Sequence, residues 1–586
     1  FVEWWERDLR DFIRRDRNYP CVIAYSMGNE TNGPVANQLV KVCHEEDPTR
    51  LVTSGHSASE VMDIFGVNGG AERKTFIENY KITDKAFIGT ETPHTWQVRG
   101  YYRTNTWYRD GFSPQRGVYE TPDLTEKELF HYEWASPEKW VSRKQHFNSS
   151  YDNATVRINA RQNMEFLRDL PWYSASFRWT GFDYLGEAGY VHGGWPFRAF
   201  MGGVIDLAGF PKDHYYLYQS QWSSKPMVHI LPHWTHPDLK RGEKVPVWVY
   251  TTGDSVELFF NGKSLGKKSK GMKWNEMQCE WMVPWKEGTL EAVAYSDGEE
   301  IARTMQSTSS APSQLRLSVS DACLTGSPED LHIVDIEQTD HKGTLYPYGE
   351  NRVYWTVKGN GEIFSAENGS PVDVETNYHA TSKKCFFGLL RLFVRNKDLK
   401  GVALYAASIL GDKRLKTDNR ISIDVRGIDL KGTPHDVSSL KILYTTDGSD
   451  PVVSGNKYSR AFRMKNAGIV KAVVMSGDSV YIRMEEKFGS GEGLYWGNPE
   501  EKTDLLDVQA ENCKFSGGMV SDELKGYQSK GYLLLENNSD IEFYQENDGS
   551  AYEAVMVYRY VSVGTGTLNI DFFNNGKAVF KDKVTL

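Results

Sequence analysis

Two glutamates stand where a strand pattern gives out. Glu30 follows the apolar run CVIAYS (21–26) through Met27-Gly28-Asn29, and Glu91 closes AFIGTE (86–91). Each is the first acid after its run. Two carboxyls at the open edge of a sheet or barrel can cleave a glycosidic bond. One protonates the leaving oxygen, while the other attacks the anomeric carbon or activates water, provided their surroundings push their pKa values apart. Position alone does not assign that chemistry, because an acid after a strand also serves as a helix cap or lies solvated in a loop.

The elements that must position the pair alternate in type. FVEWWERDLRDFIRRDR (1–17) has an amphipathic helical pattern that stops before Pro20, and residues 34–46 and 155–170 read as further helices. LVTSG (51–55), DIFGVN (63–68), AFIGTE and SFRWTGFDY (176–184) read as further short buried strands. Strands of this kind separated by helices predict a parallel sheet covered on both faces, with chemistry at the C-terminal strand ends. From about residue 226 the pattern becomes all-β. Asn261-Gly262, between VPVWVYTTGDSVELFF and KSLGKK, marks a tight hairpin. At about 100–200 residues per domain, 586 residues suggest several units.

Wider blocks around the two acids carry a resemblance. RRDRNYPCVIAYSMGNE (14–30) resembles the acid/base segment of glycoside hydrolase family 2, with its helix, Tyr-Pro, strand and Asn-Glu pair. FIGTE (87–91) looks like the family's nucleophile segment, FRWTGFDYLGE (177–187) its eighth barrel strand and loop, and GGVIDLAGFPKDHYYLYQSQW (202–222) its closing segment. The four blocks occur in the family's order. The resemblance implies a (β/α)8 TIM barrel and a retaining mechanism, with Glu30 as acid/base and Glu91 as nucleophile. It further implies Asn29 on the sugar 2-hydroxyl and Trp179 as a wall of the sugar site. His94, Trp96 and Arg99, in HTWQVRGYY (94–102), are expected to reach the sugar, and Arg99 could also keep Glu91 ionised.

Departures from the family narrow the expectation. Where many members end the preceding strand in Gly-x-Asn-Tyr, this chain has Gly66-Val67-Asn68-Gly69, which leaves open how the nucleophile is held, with Tyr80 and Tyr101 as candidates to substitute for that tyrosine. The Asn-x-Lys carboxylate clamp of typical β-glucuronidases is not evident. The expected activity is therefore an exo-acting β-galactosidase. Another family 2 activity such as β-glucuronidase is the alternative, and a non-catalytic carbohydrate-binding scaffold is a third reading. The insertion 103–150, with Trp107, Trp134 and Trp140, either lines a pocket or packs on the barrel. The acid/base of this family ends the fourth strand, yet Glu30 lies near the start of this sequence. Residues 1–225 thus read as a partial barrel lacking its first strands, a fragment expected to be inactive or poorly soluble alone.

The tail reads as several Ig-like and β-sandwich domains: a small sandwich at 226–308, an Ig-like domain at 309–411, a chitobiase-C-terminal-like unit at 412–488, and a truncated carbohydrate-binding-module-like unit at 505–586. In the last, Glu511 is the candidate ligand for a structural calcium; no other cofactor is expected, and no metal at the site. Lys plus Arg total 68 against 78 Asp plus Glu, a net charge of −10, which disfavours a nucleic-acid partner. No 18-residue apolar run is present, and six scattered cysteines without a CxxC pair give neither a zinc cluster nor a disulfide scaffold. Ten of the 17 tryptophans fall before residue 223, in the part expected to handle a carbohydrate substrate. The appended modules suit a periplasmic or secreted protein, although the sequence opens on Phe1 with no signal peptide before it.

Overall fold

The computed structural model describes the chain apart from residues 1–2, 30, 32, 56–60, 70–71, 73–75, 77–83, 103–149, 153–157, 188–197, 238, 321–326, 328–329, 397–400, 414, 416–418, 490–513, 522–531, 543–566, 575–576 and 586. It divides into two units, Phe1–Leu506 and Asp507–Leu586. Glu30, Tyr80, Trp107, Trp134, Trp140 and Glu511 lie outside the described residues.

The first unit opens with an arc of parallel strands: β1 (Ala24–Ser26), β2 (Leu51–Thr53), β3 (Phe65–Asn68), β4 (Phe87–Glu91) and β5 (Tyr173–Ser176). β1 pairs with β2, and β3, β4 and β5 form one sheet. The two groups are joined by backbone bonds from Ile64 N–H to Val52 O (3.1 Å) and from Asn68 N–H to Gly55 O (3.0 Å). Helix α1 (Trp5–Asp16) lies against α2 (Gly33–Glu46), burying Ile13 with Tyr25, Ala36 and Cys43. Arg10 and Arg14 on α1 both reach Glu46, at 2.8 and 2.7 Å. Helix α3 (Ala160–Asp169) is closed by a capping box: the Asn159 side chain accepts from Gln162 N–H, and Gln162 accepts from Asn159 N–H.

The strand expected over 176–184 is divided. β5 ends at Ser176, and a two-residue strand, β6 (Tyr184–Leu185), pairs antiparallel with β7 (Ala199–Phe200). Arg178 breaks the run: its guanidinium donates to the Thr95 and Gly202 carbonyls at 2.7 and 3.1 Å. A charged side chain with fixed acceptors cannot continue an apolar strand.

Helix α4 (Asp213–Trp222) ends the barrel segment. Two sheets follow, one of Val228–Leu231, Lys244–Thr251 and Cys279–Pro284, the other of Ser255–Phe260, Lys263–Ser269, Thr289–Ser296 and Glu299–Ser307. They close on Trp234, Val247, Val256, Leu258 and Leu290. Asn261 and Gly262 both have positive φ (49° and 76°), as the two-residue hairpin requires. A second sandwich occupies 314–429. Its last long strand, Arg420–Asp429, pairs along Ala403–Leu410 and shares a core with the sheet of 441–488, so these segments are continuous in packing. The second unit, described by itself, holds two antiparallel strand pairs, Lys514–Ser521 with Tyr532–Glu542 and Thr567–Asn574 with Lys577–Thr585. Among the described residues, no helix is long and apolar enough to cross a membrane.

Two of the histidines that burial holds neutral, His214 and His236, make the first unit acid-sensitive. His214 accepts from Arg178 at Nδ1 (3.3 Å), so its Nε2 carries the proton and donates to Asp152 Oδ1 (2.8 Å). Burial pushes this ring down to about 4 against the opposing pull of Asp152, and burial does the same to His236. An unfolded chain protonates both rings below about pH 6.5, so it binds more protons than the native state between about pH 6.5 and 4. Stability is therefore expected to fall as pH drops through that window; His233, lowered by burial, adds to the loss, and Asp183, raised by burial to about 7, opposes it. Urea midpoints measured at about pH 7.5 and 5 check this, and equal midpoints would show that the neutral histidines do not outweigh Asp183.

Candidate active site

β4 delivers Glu91. Its first residue, Phe87, is fully buried, with the rings of Phe65, Phe76, Trp172 and Tyr173 around it at 5.0 to 5.9 Å. At Gly89 a Cβ would lie 2.2 Å from the Tyr173 hydroxyl, so the strand tolerates no side chain there. Glu91 pairs across to Asn68 on β3, and its carbonyl accepts from Gly69 N–H at 2.9 Å.

Asn68 links the two halves of the site. Its amide nitrogen donates to Asn29 Oδ1, and its own oxygen accepts from the Thr90 hydroxyl, both at 2.7 Å. The residue before Glu91 is thus tied to the residue before Glu30. Where the family pattern supplies a tyrosine after this asparagine, Tyr101 does not take its place. It is buried among Val98, Met201, Phe386 and Phe387.

His94 meets Glu91 instead. Its Nε2 lies 3.6 Å from Glu91 Oε2, while Nδ1 lies 2.5 Å from Oε1 of the fully buried Glu72. The same Glu72 oxygen accepts the His94 backbone N–H at 2.9 Å. Sequence reasoning missed Glu72. The available signal was an acid three residues past Gly69, where β3 has ended.

The segment after Glu91 is fastened at nearly every residue. Arg178 holds Thr95. Gln97 donates to the Ser150 and Tyr151 carbonyls at 2.8 and 3.0 Å. The Lys212 ammonium spends its three donors on Gln97 O, Asp183 and Met201 O.

Two expected sugar contacts are corrected by this packing. Arg99 is buried, bonds Asp206 at 2.7 Å, and donates to the Asn368 and Phe386 carbonyls of the 314–429 sandwich at 3.1 and 2.9 Å. It braces the barrel segment against that sandwich, because a buried guanidinium needs its donors met locally. Trp96 is also buried, edge-on to Phe200 at 5.5 Å. Trp179 is half-buried and edge-on to Tyr184 at 5.8 Å, and Tyr184 tilts against Phe200 at 5.3 Å. Tyr184 donates to Glu187. Burial, that bond and the negative charges of Glu187 and Glu91 raise its phenol, with the Trp179 contact acting the other way, so it stays neutral. Tyr184 is a second residue that sequence reasoning passed over.

A run of parallel barrel strands with a carboxylate at a C-terminal strand end, followed by β-rich domains, defines a partial TIM-barrel protein with an acidic site at the barrel mouth. Residues 5–91 match the model "Glycosyl hydrolases family 2, TIM barrel domain", and 315–411 match "Glycoside hydrolase family 2 C-terminal domain 5". Residues 242–302 match a domain of unknown function, DUF4982, and 429–480 match "Fn3 associated". The chain is 49% identical over 97% of its length to a Formosa agariphila protein named "Putative beta-glucuronidase", covering 55% of that protein. It is 33% identical over 70% of its length to Beta-galactosidase BoGH2A of Bacteroides ovatus, covering 51% of it. A crystal structure of a beta-glycosidase from Bacteroides vulgatus superposes with a TM-score of 0.62 at 39% identity, covering 70% of this chain and 52% of that one. The chain belongs to glycoside hydrolase family 2. It spans about half the length of the curated relatives it matches.

The Gly89 contact gives a direct test of how β4 is seated. Gly89→Ala is expected to destabilise the first unit by about 1–3 kcal/mol through overpacking, and adding Tyr173→Phe should recover part of that loss. Denaturant titration of the single and double variants measures both effects. Additive losses would show that the two positions do not touch.

Proposed function

We propose that this chain carries the paired carboxylates of a retaining, exo-acting β-glycosidase. The observation that supports it most is Glu91 at the C-terminal end of β4, joined through Thr90 and Asn68 to Asn29, the neighbour of Glu30. In this reading Glu91 attacks the anomeric carbon while Glu30 protonates the departing oxygen. Glu30 then takes a proton from the water that cleaves the glycosyl ester. Asn29 serves the sugar 2-hydroxyl, and Trp179 offers an aromatic face to the apolar C–H side of the ring. His94 stands beside the nucleophile, within reach of the sugar's rim.

The preferred substrate is a terminal β-galactoside. The commitment of Arg99 to Asp206 and two carbonyls favours a neutral sugar, since this arginine is then not offered to a uronic acid carboxylate. The name of the 49%-identical relative favours the second reading, a β-glucuronide.

The full-length protein tests both. Glu91→Ala is expected to abolish hydrolysis of aryl β-glycosides, with azide restoring turnover as the α-glycosyl azide. Glu30→Ala should slow hydrolysis by about 10²–10⁴-fold, with azide giving the β-glycosyl azide. Aryl β-galactoside and aryl β-glucuronide run in parallel select the sugar. Undiminished turnover in Glu91→Ala would show that Glu91 is not the nucleophile, whereas binding of sugar with no turnover of either glycoside by the unaltered protein would leave the carbohydrate-binding reading.

A further inference from the structure

Glu72 has no place in the two-carboxylate chemistry, yet it is fully buried beside it. A carboxylate so placed is costly unless it is bonded. One of its oxygens takes both the backbone N–H and the ring Nδ1 of His94, at 2.9 and 2.5 Å. That double hold fixes the position of residue 94 and the rotation of its ring. Because a carboxylate only accepts, Nδ1 must carry a proton, and Nε2 is the atom left facing Glu91 Oε2 at 3.6 Å.

We propose that Glu72 is a positioning residue that acts through His94 on the nucleophile, an inference that rests on Glu91 filling that role. The ring lies between two carboxylates, and these are the charged groups that face it among the described residues. A lone pair on Nε2 would oppose the Glu91 charge, whereas an N–H there meets it. The ionised nucleophile therefore favours the doubly protonated ring. Once Glu91 is esterified by the sugar, the charge of Glu72 alone keeps the second proton on the ring. In the second half-reaction water attacks the anomeric carbon and gives its proton to Glu30. The bond from the anomeric carbon to Glu91 breaks, and its electron pair returns to the carboxylate. The Nε2–H of His94 meets that returning charge, so the dyad assists departure of Glu91 more than its attack.

Glu72→Gln in the full-length protein separates this from a merely structural role. It keeps the volume and an acceptor but removes the charge. With an activated aryl glycoside, whose sugar is released slowly from the enzyme, kcat should fall by about tenfold or more, with KM falling in step. A pre-steady-state burst should grow as the glycosyl-enzyme accumulates. Glu72→Asp should restore part of kcat. Independently of turnover, the NMR titration of the His94 ring, assigned through His94→Asn, should move down by about one pH unit or more in Glu72→Gln. An unmoved titration overturns the Glu72–His94 link. A moved titration with unchanged kcat, KM and burst overturns its action on the nucleophile and leaves the reading of Glu91 intact. Failure of that reading shows separately, as full turnover in Glu91→Ala.

Discussion

A strand that must present one carboxylate at its end depends on its register, because a slip of one residue turns every side chain to the other face. β4 is held on both sides. Phe87 pairs with Phe65 on β3 and with Tyr173 on β5, and the register shifts before Asn68, so that residue comes opposite Glu91. The bulk of Phe87 and the bareness of Gly89 act together here. One fills the layer beneath the site, and the other lets the Tyr173 hydroxyl approach the backbone. The side-chain bridge from Thr90 through Asn68 to Asn29, and the placement of His94, follow from that seating.

The β-rich domains extend the same constraint outward. The segment 94–102 leaves β4 and is clamped by Lys212, Arg178 and Gln97 within the barrel part, then by Arg99 to the carbonyls of Asn368 and Phe386. Arg391 of the same sandwich returns the contact by donating to Ala208 O at 2.9 Å. On the other flank, Arg161 is bonded to Asp152 and lies over Trp248, 4.4 Å from its ring centroid. These domains thus brace the site-bearing segment through Arg99 and Arg391, whose carbonyl acceptors lie across the domain contact, and through Arg161 against Trp248. Hydrogen bonds to charged groups of this kind contribute about 1.5–3 kcal/mol each when fully met.

Much of this was legible in the sequence. Short apolar runs closing on Glu91 and on the Asn29-Glu30 pair marked strand ends, Asn261-Gly262 marked its hairpin, and the order of four blocks marked the family. What escaped depended on contacts between residues far apart in the chain. Arg99 looked like a sugar ligand because its acceptors, Asp206, Asn368 and Phe386, lie more than a hundred positions away. Trp96 looked like a platform because the ring that covers it, Phe200, is equally distant. Tyr101 looked like a substitute for the family tyrosine, yet its neighbours are the phenylalanines of another domain. Glu72 gave no periodic signal, since a single acid after a glycine turn has the same local pattern whether it faces water or a buried imidazole.

The central claim is that Glu91 forms a covalent bond to the sugar. A 2-deoxy-2-fluoro aryl β-glycoside slows release of the glycosyl-enzyme, so it can be trapped and its peptides weighed. The expected result is one sugar per chain, attached to the peptide that contains Glu91, with slow recovery of activity as the ester hydrolyses. A label on any other residue, or inactivation without a label on that peptide, would contradict it.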